Sequence, residues 1–247
     1  LTVAPTLPII TSAVSATGSV GSAFSYKIAA SNFARTYAAT GLPSGLSVNA
    51  TSGVISGVPA TAGNATVVLS ASNGAGNATK SLALRIKPLP PVISASSASA
   101  KVGTPFVYQI TASNSPTKYR ATGLPNGLTD DMMTGVITGT PICIDGIYNV
   151  TIAATNSGGT GNNTLTITVA PTLPVITSEA SATGAVGSAF SYKIAASNFA
   201  RTYAAIGLPS GLSMNATSGV ISGVPVTVGN STVVLSASNG AGNATKT

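Results

Sequence analysis

Phe24, Tyr26 and Ile28 alternate with Ser25 and Lys27, the period-two pattern of a strand that buries one face. Leu82, Leu84 and Ile86 alternate with Ala83, Arg85 and Lys87 in the same way, and Val67, Leu69 and Ala71 mark a third such face. Short apolar pieces at 9–11, 37–39, 46–48 and 54–56 complete seven strands within residues 1–87. No stretch keeps the period of an amphipathic helix. Between the apolar pieces stand Ala50-Thr51-Ser52-Gly53, Ala62-Gly63-Asn64 and Asn73-Gly74-Ala75-Gly76. Gly and Asn accept the positive φ of tight hairpins, so these stretches predict turns. Short strands joined by such turns predict an all-β fold, an antiparallel β-sandwich. The Cys, Trp, Cys arrangement of antibody domains is absent, so the packing is expected to be aliphatic alone.

The same pattern returns twice. Residues 15–80 recur as 181–246 with 60 of 66 positions identical, and a looser copy lies between them. Gly41-Leu42-Pro43, Gly123-Leu124-Pro125 and Gly207-Leu208-Pro209 keep spacings of 82 and 84 residues, too long for a solenoid unit and suited to small domains. The expected organisation is residues 1–5 as the last strand of a preceding repeat, followed by repeats at 6–87, 88–170 and 171–247. Pro88-Leu89-Pro90-Pro91 and Pro171-Thr172-Leu173-Pro174 join them. Proline favours extended backbone, so these junctions predict stiff spacers and a rod of sandwiches.

Composition narrows the function classes. The chain carries 11 Lys and Arg, 4 Asp and Glu, no His and no Trp, with a net charge of +7. Charged residues are 6 per cent, against roughly 25 per cent in an average soluble domain, so hydroxyl and amide groups dominate the polar surface. The cations stand singly with no basic run or interleaved aromatics, which argues against a nucleic-acid interface. One thiol, Cys143, cannot form an intramolecular bridge. No run of 18 apolar residues occurs and the first ten residues lack a basic region, so no membrane span or signal peptide is predicted in this segment.

Four strings carry a resemblance. They are Phe-Ser-Tyr-Lys-Ile at 24–28, Ala-Thr-Gly-Leu-Pro-Ser-Gly-Leu-Ser at 39–47, Ser-Gly-Val-Ile-Ser-Gly-Val-Pro at 52–59 and Val-Leu-Ser-Ala-Ser-Asn-Gly-Ala-Gly at 68–76. The middle copy keeps Ala-Thr-Gly-Leu-Pro-Asn-Gly-Leu at 121–128 and Thr-Gly-Val-Ile-Thr-Gly-Thr-Pro at 134–141. The chain resembles the immunoglobulin-like repeats of bacterial and archaeal surface proteins, which are close to the dystroglycan-type cadherin-like domains. That resemblance implies tandem arrays in secreted or surface-attached proteins, serving as stalks, adhesin segments or accessory modules. It implies no single activity.

By analogy with cadherins, calcium is the cofactor to weigh. It takes six to eight oxygens including several carboxylates, and the first copy holds no acid at all. Asp130, Asp131 and Asp145 in the middle copy are the weak candidates for a metal site, and the expectation is no cofactor. Hydrolytic chemistry lacks its parts: His is absent, and the adjacent Asp130 and Asp131 face opposite ways on a strand. Eight Asn-x-Thr triplets, at Asn49, Asn64, Asn77, Asn149, Asn162, Asn215, Asn230 and Asn243, are glycosylation candidates, most of them at predicted turns.

Residues 1–8 match 167–174, and copy three stops where copy one continues into 81–87. An open sandwich edge accepts a strand from another chain. Either the chain is a window on a longer array, or Leu1, Thr2 and Val3 donate a strand to the third repeat of a neighbouring molecule. The predicted role is a non-catalytic stalk, spacer or filament segment of a secreted or cell-surface protein. The alternative is an adhesin or carbohydrate-binding accessory, whose contacts would come from hairpin tips and from Tyr37, Tyr119 and Tyr203. The expected partners are neighbouring repeats of the same or another copy of the chain and a glycan or surface ligand, with no nucleic acid.

Overall fold

A computed structural model describes residues 4–94 and 96–247, and no described residue is helical. The first copy contributes β1 (Ser15–Ser19), β2 (Phe24–Lys27), β3 (Thr36–Thr40), β4 (Leu46–Val48), β5 (Val54–Gly57), β6 (Gly63–Asn73) and β7 (Gly76–Lys87). The second supplies β8 (Ser96–Lys101), β9 (Phe106–Gln109), β10 (Lys118–Thr122), β11 (Leu128–Asp130), β12 (Val136–Gly139), β13 (Gly146–Asn156) and β14 (Gly159–Ala170). The third adds β15 (Phe190–Lys193), β16 (Thr202–Ile206), β17 (Leu212–Asn215), β18 (Val220–Gly223), β19 (Val234–Asn239) and β20 (Gly242–Lys246).

In the first copy a four-stranded sheet, β1-β7-β6-β3, faces a three-stranded sheet, β2-β5-β4. The second copy repeats this as β10-β13-β14-β8 and β11-β12-β9, and the third has β16-β19-β20 and β15-β18-β17. Alternation builds the core as expected: Phe24 and Ile55 from one sheet meet Val67, Leu69, Leu82 and Leu84 from the other. Ile28, Ile55, Leu69 and Leu82 are fully buried, while Lys27 and Arg85 face solvent. Burying such a side chain stabilises by about 1.5–3 kcal/mol, and no disulfide contributes.

One strand departs from the sequence expectation. The apolar piece at 9–11 makes only a bridge, Ile10 to Ala30, and the chain then crosses to the other sheet as β1. There Ser15–Ser19 runs parallel to β7, in the register Ser15 to Ala83 through Ser19 to Lys87, and β8 pairs parallel with β14 likewise. The sandwich is therefore antiparallel except at these two edges. A parallel pair needs a long connection, and the whole copy lies between β1 and β7.

By density of contacts the chain forms two compact units. One comprises Leu1–Ile93, Ala112–Lys118 and Ala153–Asn162; the other comprises Ser94–Thr111, Tyr119–Ile152 and Asn163–Thr247. The first unit thus joins the first copy to one end of the second, and the other unit joins the rest of the second copy to the third.

Ile55 touches both sheets' side chains and has no exposed surface. Ile55→Ala is expected to cost about 2–5 kcal/mol, read as a lower urea midpoint at unchanged slope.

Candidate functional site

The polar groups shared by all three copies converge on the linker that enters each copy. Asn73 ends β6, and its Nδ2 donates to the carbonyls of Thr6 and Asn32, both at 2.7 Å. Its Oδ1 accepts from Ala75 N at 2.8 Å. Asn32 in turn donates Nδ2 to Leu7 O at 2.7 Å. Two asparagines thus hold two consecutive linker carbonyls, and both amide hydrogens of Asn73 are used.

The second copy repeats the clamp. Asn156 donates to Leu89 O at 2.8 Å and Asn114 O at 2.6 Å, while Asn114 donates to Pro90 O at 2.7 Å. In the third copy Asn239 donates to Thr172 O and Asn198 O at 2.8 and 2.7 Å, and Asn198 to Leu173 O at 2.8 Å. Asn156 is buried, the single polar side chain in that class among the described residues. Buried amide groups are costly unless bonded, and here each bond is made to the linker or the hairpin beside it.

Local backbone sets this geometry. Asn32, Asn114 and Asn198 have φ of 58, 59 and 56°, and the residues that follow them are also left-handed. Asn tolerates that conformation because its short side chain bonds locally. The linker comes so close that a Cβ on Gly158 would lie 1.9 Å from Pro88 O, which no side chain permits. Sequence reading marked the Asn-Gly turns but missed the clamp. The signal was present as Ser-Asn at 31–32, 113–114 and 197–198, each with its distant Asn at the end of a strand.

The candidate metal ligands do not assemble. Asp130 Oδ2 accepts from Ala121 N at 2.8 Å. Asp131 Oδ1 accepts from Met133 N and Thr134 N at 2.8 and 3.1 Å. Asp145, half-buried, pairs with the more exposed Arg201 Nη2 at 2.7 Å. Among the described residues no three His, Cys, Asp or Glu side chains gather where they could hold a cation. Cys143 is buried, and the neighbouring Tyr148 hydroxyl is held above its ordinary value by its side-chain hydrogen bond to that thiol, then by burial and nearby negative groups.

Asn49 and Asn215 make the same turn as Asp131, accepting from the two backbone N–H groups that follow. All eight Asn-x-Thr asparagines are exposed. Asn49 and Asn215 open such turns and Asn230 stands in a loop, whereas Asn64, Asn77, Asn149, Asn162 and Asn243 lie within strands, contrary to the expectation that most sit at turns. These strands extend past the turn formers as long hairpins, so polar exposed positions occur on them too. Tyr37, Tyr119 and Tyr203 are half-buried, and their rings cover Gly53, Gly135 and Gly219. A Cβ on Gly53 would stand 2.8 Å from the Tyr37 ring at a φ of 68°, so the tyrosines pack against the turns that join β4 to β5, β11 to β12 and β17 to β18. Leu1, Thr2 and Val3, the expected donor strand, lie outside the described residues.

With two facing sheets and three like copies established, comparison with known proteins decides the family. A model described as "Putative Ig domain" matches residues 7–87, 90–170 and 173–247. The chain belongs to this family. Relatives include the "Serine-rich adhesin for platelets" of Staphylococcus aureus strain MRSA252, 39% identical over 132 residues, covering 51% of this chain and 10% of that protein. The same adhesin of strain MSSA476 matches at 39% over 51% of this chain and 6% of its own length. The chain therefore spans a tenth or less of these relatives. Among solved structures, the titin I-band fragment I67-I69 superposes with a TM-score of 0.53 at 15% identity, covering 98% of this chain and 97% of that one. Sidekick-1 immunoglobulin domains 1-5 give 0.51 at 16%, covering 99% and 58%. At these identities the likeness shows the tandem immunoglobulin-like fold alone.

Two predictions test the site. The backbone N–H groups of Met133 and Thr134 hold the Asp131 carboxyl below the usual carboxylate range. A depressed value means its contribution is present above the ordinary carboxylate pKa and lost as pH falls through the folded value. Asp131→Asn, the residue already used at Asn49 and Asn215, should therefore shrink the loss of urea stability between neutral pH and about pH 2. Asn156→Ala leaves the carbonyls of Leu89 and Asn114 and the N–H groups of Gly158 and Gly159 without their partner, and should lower stability by about 1–3 kcal/mol in denaturant melts.

Proposed function

We propose that this chain is a non-catalytic structural segment, a stalk or spacer, of a secreted or cell-surface repeat protein, with modules at 6–87, 88–170 and 171–247. The observation that carries this reading is the clamp. Each copy spends its recurring polar chemistry on fixing the linker that enters it, at Thr6 and Leu7, Leu89 and Pro90, and Thr172 and Leu173. Linkers of proline-rich composition held at two successive carbonyls transmit orientation, and force, from one module to the next. Catalysis has no counterpart to this convergence: Asp130 and Asp131 are bound to backbone and Asp145 to one arginine.

A second reading rests on one finding, the 39% identity to an adhesin for platelets. On that reading the modules take part in adhesion, with hairpin tips and exposed amide and hydroxyl groups as the contact surface. A spacer and an adhesive module share the fold and differ in what they bind.

Small-angle scattering separates rigid from loose linkage. The unaltered chain is expected to scatter as an elongated particle of low flexibility, and Asn73→Ala, Asn156→Ala and Asn239→Ala together should raise flexibility while the far-ultraviolet dichroism stays that of β-sheet. A compact particle, or one already flexible before substitution, rejects the spacer. Specific retention on a glycan array or on platelets selects the adhesive reading instead.

A further inference from the structure

The junction between the first and second copies is open at a place where the next junction is bridged. Between copies two and three, Asp145 bonds Arg201 at 2.7 Å, and the same two loops carry Ile142 and Phe199. Their counterparts at the first junction are all smaller: Ala62 for Asp145, Thr117 for Arg201, Ala60 for Ile142 and Ser115 for Phe199. Recurring backbone bonds fix this matching. Thr117 N donates to Thr155 O as Arg201 N does to Ser238 O, and Ala60 N donates to Ser44 O as Ile142 N does to Asn126 O. The four small residues line a groove of about 620 Å³, within the size range of ligand sites.

The lining is of two kinds. Val20, Ala60, Ala62 and Leu89 offer aliphatic surface, while Ser115, Thr117, Ser157 and Lys118 offer hydroxyls and one ammonium group. Thr117 Oγ1 donates to Thr155 O at 3.2 Å, whereas the side chains of Ser115, Ser157 and Lys118 have no protein partner among the described residues. No acid offsets the cation. The compact unit that contains the groove holds Lys27, Arg35, Lys80, Arg85, Lys87 and Lys118 with neither Asp nor Glu, and all four acids of the chain fall in the other unit. A cleft in so one-sided a charge distribution concentrates anions.

We propose that this groove binds an acidic oligosaccharide, with the sugar's carboxylate or sulfate on Lys118, its hydroxyls on Ser115 and Ser157, and a ring face on Val20 and Ala62. Sugar rings present C–H faces rimmed by hydroxyls, which match aliphatic surface bordered by a few convergent polar groups. An acidic peptide fits less well, because the lining comes from loops, turns and strand ends and offers no sheet edge for a peptide to extend. One cation in an open groove makes the binding weak, with a Kd on the order of 1 mM. The proposal deepens the adhesive reading and rests on it; the spacer role stands if it fails.

The test is titration of the isotope-labelled whole chain, followed through its backbone amide resonances, with hyaluronan hexasaccharide, heparin hexasaccharide and neutral maltohexaose. At least one acidic probe should shift the amides of Ser115, Lys118 and Ser157, and its binding should weaken with added salt. Whichever acidic probe binds identifies the anionic group. Lys118→Gln should weaken that binding about tenfold, as loss of a charged hydrogen bond does. Ala62→Asp combined with Thr117→Arg builds across this junction the pair that Asp145 and Arg201 make at the next, and should abolish binding. All three positions are exposed, and circular dichroism verifies that each variant keeps its β-sheet. Failure of both acidic probes to bind overturns the proposal, as does equal binding of maltohexaose. An equal loss on Arg85→Gln, an exposed cation outside the groove, means a diffuse basic surface and overturns it too. Glycan binding that survives the Ala62→Asp, Thr117→Arg change keeps the adhesive reading and rejects the groove as its site.

Discussion

Six asparagine side chains, two in each copy, tie the linkers of this chain to its modules. A linker between sandwiches carries backbone carbonyls that need partners, and prolines in it supply no N–H to pair among themselves. Water could satisfy those carbonyls but would leave the linker free. Asn32 and Asn73, Asn114 and Asn156, and Asn198 and Asn239 satisfy them from the module instead. The net gain of one such bond is modest, about 0.5–1.5 kcal/mol, whereas leaving the amide unpaired costs more. That asymmetry makes each clamp close to all-or-none: the left-handed turn, the hairpin and the linker hold together or are released together.

How much of this was legible in the sequence depends on whether a segment buries side chains. β2, β6 and β7 alternate strongly because Phe24, Val67, Leu69, Leu82, Leu84 and Ile86 fill the core, and their period could be read directly. β1 could not. Ser15, Ala16, Thr17, Gly18 and Ser19 offer the edge of a sheet little but backbone, and a Cβ on Gly18 would stand 2.9 Å from the Phe24 ring. A strand selected by close approach and main-chain pairing leaves no hydrophobic period. The parallel direction at that edge is likewise set by topology, which local sequence does not encode. The clamp was hidden for a related reason: its asparagines lie 41 or 42 residues apart, and each alone reads as an ordinary turn residue.

The scarcity of charge fits this economy. Asn49, Asp131 and Asn215 make one turn in three copies, and only the middle one uses a carboxylate. The geometry is fixed by two backbone N–H groups meeting an oxygen acceptor, which an amide supplies as well as an acid. The carboxylate makes the stronger bond but ties the turn to pH. Amide and hydroxyl chemistry thus does the work that ion pairs do elsewhere, and leaves a surface whose interactions depend little on salt or protonation.

The twins show where such a design tolerates change. Val48 to Met214 and Ala65 to Ser231 fall at partly buried positions around the core of copy one, and neither alters a fully buried side chain. Densely packed interiors resist added volume, so substitutions that enlarge a residue accumulate where space is open. Thr40 to Ile206, Ala60 to Val226 and Ala62 to Val228 all do this at exposed sites, where greater apolarity has no folding benefit to offset its cost in solubility.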